Sequence, residues 1–192
     1  MVARLLLVIV MVALLAGCGG TNDSAPAPST VSSTATTTTT VPALEGASTD
    51  PVIWKGTSTE TELLADVRAA RHPGYDRVVF EFRSGVPGYD VRYVEPPVRA
   101  DGSGDEVAVA GGAVLRVRME PALDADLNQE SAPRTYTGPT RFSPDTRAVV
   151  ELVRTGGFEA VLTWAIGVEA TSPFRVRRLH DPERLVIEIS SP

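Results

Sequence analysis

From about Thr61 onward, apolar and polar residues alternate along the chain, and clusters of Gly, Pro, Asp and Asn separate the alternating runs. Side chains leave a strand on opposite faces with a period of two, so each run predicts a strand with one face on a core and one in water. Val78, Phe80 and Phe82 fall on one face, with Glu81 and Arg83 on the other. Ala113, Leu115, Val117 and Met119 share a face opposite Arg116, Arg118 and Glu120. Phe158, Ala160, Leu162, Trp164, Ile166 and Val168 read as one long inward stripe, and Leu185, Ile187 and Ile189 as another. Trp164 shares its face with Leu162 and Ile166, which assigns it to the core rather than to a surface platform.

One segment reads two ways. Ser143-Pro144-Asp145 before Arg147–Arg154 has the form of a helix start, with Gly156-Gly157 as its stop. The same residues also read as a strand turning through Thr155-Gly156-Gly157 into Phe158. The β-branched Val149, Val150 and Val153 and the strand-like flanks favour the hairpin.

The chain also writes one strand twice. Asp76-Arg77-Val78-Val79-Phe80-Glu81-Phe82 and Glu183-Arg184-Leu185-Val186-Ile187-Glu188-Ile189 both run acid, Arg, apolar, Val, apolar, Glu, apolar. An arginine-containing stretch precedes each copy, followed by a histidine and a proline in a tight turn: His72-Pro73 in the first, His180-Asp181-Pro182 in the second. The repeating unit is therefore a hairpin, and it suggests related halves of a β-sandwich; chance likeness between short hairpins is the alternative. The expected fold class is all-β, a two-sheet β-sandwich with pseudo-symmetric halves, preceded by a signal peptide and a disordered tether.

Composition narrows the class. The 192 residues are 43% hydrophobic, enough for one packed domain. Formal net charge is −6, Lys55 is the one lysine, and no long basic run occurs, which argues against nucleic acid as the main partner. At the N-terminus, Arg4 precedes a short apolar run from Leu5 to Ala16, the pattern of a signal peptide over residues 1–17 and too short for a good spanning helix. The one cysteine, Cys18, closes Leu15-Ala16-Gly17-Cys18, which resembles the bacterial lipobox. That resemblance implies a diacylglyceryl group on the Cys18 thiol, cleavage before it, and a protein held by acyl chains such as palmitate at the cell membrane, facing the extracytoplasmic side. Gly19 stands where an aspartate would suggest inner-membrane retention. Residues 18–54 are rich in Ser, Thr, Ala and Pro and include the run Thr36–Thr40. Such a segment buries too little surface to offset chain entropy and reads as a disordered tether. It is either a spacer that lifts the domain into the wall or a linker of indifferent length. The domain is then expected over residues 55–192.

A family comes into view at the second repeat. Pro173-Phe174-Arg175-Val176 with His180-Asp181-Pro182-Glu183-Arg184-Leu185-Val186-Ile187-Glu188-Ile189 resembles the closing strand pair of the AMIN domain of cell-wall amidases and secretion channels. Tyr75–Phe82, Pro87–Val94 and Phe158–Gly167 together resemble the AMIN-like domain of actinobacterial lipoproteins, so that the likeness spans roughly residues 61–191. The resemblance implies a β-sandwich, targeting to the envelope and peptidoglycan as ligand, in a localising module rather than an enzyme.

Candidate chemistry is sparse. The cysteine is spoken for by lipidation, His72 and His180 sit in turns, and no serine stands in a Gly-x-Ser-x-Gly elbow, so no catalytic residue is expected. Two histidines without a cysteine pair make a poor zinc set. Asp124, Asp126 and Asn128 alternate like calcium ligands, but Gln129 replaces the expected glycine and Thr135 the closing glutamate. Neither cofactor nor metal is expected. Arg116 and Arg118 share one strand face, and Arg175 and Arg177 another. Outward arginine pairs fork onto carboxylates, while Tyr75, Tyr89 and Tyr93 are candidates to stack on sugars. The competing reading pairs these arginines with Glu81, Glu120 or Glu188 across strands. The expected partners are thus the membrane, through the lipid, and a cell-wall polymer; the alternative is an adaptor that docks an envelope protein through its sheet faces or edges.

Overall fold

The computed structural model describes residues 44–192; the expected signal peptide over residues 1–17, the lipidation site Cys18 and the tether up to residue 43 lie outside them. Thirteen strands form among the described residues, in chain order: β1 (Val52–Trp54), β2 (Glu62–His72), β3 (Tyr75–Phe82), β4 (Gly88–Val94), β5 (Val98–Arg99), β6 (Glu106–Val107), β7 (Ala113–Glu120), β8 (Ala122–Leu123), β9 (Arg141–Phe142), β10 (Val149–Phe158), β11 (Val161–Val168), β12 (Phe174–Leu179) and β13 (Arg184–Ser190). They build a six-stranded sheet in the order β1-β4-β7-β11-β10-β9, a five-stranded sheet in the order β12-β13-β3-β2-β8, and the small pair β5-β6.

The two large sheets bury the stripes that alternation picked out. Val78, Phe80, Leu185 and Ile187 meet Leu115, Val117, Trp164 and Ile166 in one continuous core. Trp164 is fully buried between the sheets and meets Phe80 and Tyr136 edge-on, at centroid distances of 5.9 and 5.8 Å. Aligned sheets that cover each other's apolar faces are what a two-sheet sandwich requires.

The segment with two readings is a hairpin, β10 paired with β11. Its turn, however, is not at Thr155-Gly156-Gly157. Glu159 and Ala160 make the turn, both at positive φ (51° and 59°), with Phe158 opposite Val161. Two successive positive φ values give the primed turn whose twist suits a two-residue hairpin. Phe158 and Ala160 therefore drop out of the inward stripe, and Phe158 is 62% exposed. Gly156 and Gly157 lie inside β10 just after a break in its register. A Cβ on Gly156 would overlap the Asp101 carboxylate, which accepts a hydrogen bond from the Thr163 hydroxyl.

The ordered domain also begins earlier than residue 55. Val52, Ile53 and Trp54 pair with Val91, Asp90 and Tyr89 of β4, and Ser48 exchanges backbone hydrogen bonds with Phe174 at 3.0 and 2.8 Å. Val52 and Trp54 pack on the core, which is why this end of the Ser/Thr-rich stretch is structured.

The outer faces of the two sheets are finished differently. Residues 95–112, which carry β5 and β6, fold over the six-stranded sheet. The Asp101 N–H donates to Thr155 O at 2.9 Å, the Ala110 N–H to the Glu151 carboxylate at 3.0 Å, and Arg141 to Ala108 O at 2.9 Å. This arm buries the outward-facing Val114, Val153 and Ala165. Among the described residues, no such arm folds over the outer face of the five-stranded sheet, although Arg175 at its edge donates to Glu45 O at 2.8 Å.

Candidate functional site

The repeated strand explains that face. β3 and β13, the two copies, are antiparallel neighbours, with Val79 opposite Val186. Each valine is the fourth residue of its copy, so a local twofold axis runs between them. The axis sets each copy's arginine against the other's glutamate: Arg77 opposite Glu188, and Arg184 opposite Glu81. The pseudo-symmetry expected from the repeat thus lies within the five-stranded sheet.

Glu188 faces outward yet has no exposed surface, because Arg77 (2.6 Å) from β3 and Arg175 from β12 both close on its carboxylate. Burial pushes the Glu188 carboxyl up, but hydrogen bonds from Arg175 and Arg77 outweigh it and hold the group below the usual glutamate range. The symmetric partner is wired otherwise. Glu81 takes Arg68 of β2 at 2.9 Å, and Arg68 also meets Asp66. Arg184 donates to Pro182 O at 3.0 Å, and neither Arg184 nor Arg177 has a carboxylate partner among the described residues. Val79 and Val186 point outward and are still buried in this setting of long arginine stems. A shallow cavity of about 220 Å³ opens beside them, lined by Arg68, Ala70, His72, Arg77, Leu179 and Arg184. The face therefore presents Arg68, Arg77, Arg175, Arg177 and Arg184 against three carboxylates, Asp66, Glu81 and Glu188. It is a locally basic patch on a chain of net charge −6.

The arginine pairs singled out from sequence are not brought together. Arg175 and Arg177 are on this face. Arg116 and Arg118, on β7, are on the outer face of the six-stranded sheet, where Arg118 pairs with Glu120 at 2.6 Å and Arg116 lies 3.9 Å from Asp90. Packed sheets stand about 10 Å apart, so one small ligand cannot bridge the two pairs. Cross-strand pairing to these acids, the competing reading, accounts for Arg175 on Glu188; Arg118 meets Glu120 on its own strand, and Arg177 has no such partner among the described residues.

The tyrosines divide as well. Tyr75 belongs to the arginine face, stacked on His72 at 4.9 Å and 9°, with its hydroxyl accepting from Arg77 at 3.0 Å. Tyr89 and Tyr93 point into the sandwich instead, against Trp54 and Phe174. The Tyr93 hydroxyl is held by the Ser172 backbone at 2.7 and 3.0 Å, and burial raises its pKa. Neither ring is placed to stack on a sugar. Asp124 of the alternating acid run is buried against Arg134 (2.8 Å) and Arg154 (3.1 Å), which leaves it unsuited to calcium. His180 meets Glu183 at 2.9 Å in the turn before β13.

Arg68, Arg77 and Arg184 were missed as site residues. The signal was present in the repeat, whose second and sixth positions share the face away from the apolar stripe, but only the register shows which strands lie side by side.

A family model described as the AMIN-like domain matches residues 62–191. Neither the curated proteins nor the solved structures give a match.

Proposed function

Because the chain belongs to the AMIN-like domain family, whose members generally bind rather than catalyse, we propose that it is a non-catalytic, cell-wall-related binding protein whose arginine face takes an anionic wall polymer. The polymer is peptidoglycan, through the carboxylates of its peptide stems, or a polymer attached to it. The protein is anchored through lipid on Cys18 at the extracytoplasmic side of the membrane. The observation that supports this reading most is the basic face itself: arginines from four adjacent strands converge on a sheet surface over which no arm of the described residues folds, and among those residues Arg177 and Arg184 have no acid of their own. A guanidinium with free donors forks onto a carboxylate or phosphate. Val79, Val186 and Leu179 supply a low-polarity floor between the charges. Tyr75 at the border adds an aromatic edge.

The test is co-sedimentation of the protein with purified sacculi, stripped and unstripped of attached polymers. Saturable pelleting that Arg177→Ala/Arg184→Ala reduces about tenfold or more is expected from two lost charge-assisted contacts. Unchanged pelleting of the folded double variant would remove the arginine face as the site. No pelleting of the wild type, together with crosslinking in cells to one reproducible envelope protein, would move the function to an adaptor.

A further inference from the structure

A second cavity, of about 290 Å³, opens between the sheets at the other side of β12. Its lining includes Trp54, Ser58, Glu62, Gly85, Arg178 and Glu183. Glu62, the first residue of β2, is two positions before the inward-facing Leu64 and points the same way. It is 4% exposed, and its Oε2 atom has no hydrogen-bond partner. The backbone holds it there: the Glu62 N–H donates to Pro121 O at 3.0 Å, and Arg83 donates to Leu63 O at 3.0 Å. Gly85 makes the room, since a Cβ at that position would lie 2.6 Å from Glu62 Oε1.

At the mouth of the cavity, the solvent-exposed Arg178 of β12 lays its guanidinium over the Trp54 ring at 3.8 Å. It has no carboxylate partner among the described residues. The other acid, Glu183, is engaged by His180 at 2.9 Å. One cavity thus holds a buried carboxylate with an unpartnered oxygen and, at its mouth, an exposed guanidinium stacked on Trp54, the two not paired with each other. Buried polar groups are normally satisfied, and a buried carboxylate with a bare oxygen calls for a donor.

We propose that this cavity binds the zwitterionic group of an amino-acid-type ligand, with the ammonium on Glu62, the carboxylate on Arg178 and the carbon chain against Trp54. Charge selects this class. A simple amine that reaches Glu62 meets Arg178, and a simple acid that reaches Arg178 meets Glu62; only a ligand carrying both signs satisfies both. Glu183 and His180, which also line the cavity, are engaged with each other, and the described residues form no cluster of ligating side chains that could hold a metal ion. A neutral sugar would satisfy the oxygen but neutralise neither charge. The cavity is near the lower limit of small-ligand sites, about 300 Å³, and suits a single residue-sized group. The cavity shares no lining residue with the one on the arginine face, so ligand binding here is independent of wall binding there.

Titration of the full protein, followed by tryptophan emission and by calorimetry, tests it. Trp164 is fully buried, so a change on binding reports Trp54. The probes are glycine, D-alanine, L-alanine and L-lysine as zwitterions, ethylamine as amine, acetate as acid, and glucose as neutral sugar. Saturation by at least one zwitterion is expected, with ethylamine, acetate and glucose about tenfold or more weaker. Glu62→Gln and Arg178→Gln should each weaken zwitterion binding by a similar factor. Gly85→Ala keeps both charges but displaces the carboxylate, and should weaken it too. Equal binding of glucose, or no saturation by any zwitterion at millimolar concentration, would overturn the assignment. The wild-type panel decides this even if a variant fails to fold.

Discussion

Asp76 opens the first repeat and turns inward with Val78 and Phe80, so a carboxylate sits in the sandwich with no exposed surface. Its Oδ2 atom accepts three successive backbone N–H groups, from Arg147 at 2.8 Å, from Ala148, and from Val149 at 3.1 Å. These residues lead into β10, the same stretch whose sequence also suited a helix start. Asp76 thus satisfies the donors of a segment that has entered the core but has not yet joined a strand. Asp76→Ala strands them. Two of the three donors are in buried hydrogen bonds and one in a part-buried bond. At about 1–3 kcal/mol for each buried group left without a partner, the loss is about 4 kcal/mol. For a domain of this size that lowers Tm by roughly 12 °C. Asp76→Asn keeps one acceptor oxygen and should cost about 1–2 kcal/mol. Urea unfolding followed by the emission of buried Trp164 measures both, and amide hydrogen exchange at Ala148 and Val149 locates the effect. An alanine variant within about 1 kcal/mol of wild type, or one whose Ala148 and Val149 amides stay protected, would refute the assignment.

Two further predictions concern stability. Glu188 has a folded-state pKa below its unfolded value of about 4.3, so its contribution is fully present above that pH and is lost as pH falls through the folded value. The urea midpoint of Glu188→Gln should accordingly lie below wild type at pH 7 and fall less steeply in acid; parallel acid limbs would contradict this. Gly167 faces the 95–112 arm, and a Cβ there would overlap the Ala110 carbonyl oxygen. Gly167→Ala should destabilise by about 2–3 kcal/mol and raise proteolysis within 95–112, and a variant as protease-resistant as wild type would show that the arm yields without cost.

Alternation was legible because it is local. Leu115, Val117, Met119, Leu162, Trp164, Ile166, Leu185 and Ile187 needed no partner to reveal that they face a core, and all are buried. What alternation hides is a second layer on the far side of a sheet. Val79 and Val186 occupy positions that the pattern assigns to water, yet the arginine face buries them, as the 95–112 arm buries Val153. The glycines misled in an instructive way. Gly156-Gly157 looked like a turn, but Gly156 gives space to Asp101, 55 residues distant in sequence, while Glu159 and Ala160 turn without any glycine. Arginine pairs were visible one strand at a time, whereas the site is assembled across β2, β3, β13 and β12, an order that only the register supplies. Glu62 looked like one more polar residue before a strand; only the fold shows that Gly85 makes room for its carboxylate and that no described residue donates to its Oε2 atom.

The twofold axis between β3 and β13 gives the arginine face its division of labour. Arg77 and Arg184 occupy equivalent places in the repeat, each opposite the other copy's glutamate. In one half, Glu188 gathers Arg77 and Arg175 and is sealed. Removing either arginine weakens the clamp on a buried carboxylate, and breaking such a pair costs about 3–5 kcal/mol, so a binding defect in Arg77→Ala or Arg175→Ala would be confounded with loss of the fold. In the other half, Arg68 reaches Glu81 first and leaves Arg184 on a carbonyl oxygen. The same short phrase, written twice, has in this way become a structural clamp in one setting and an available guanidinium in the other. That difference is why Arg177 and Arg184, rather than the two arginines on Glu188, carry the test of function: their charges are not neutralised within the fold, and the surface they share with Arg68 is where an anion would find donors unspent.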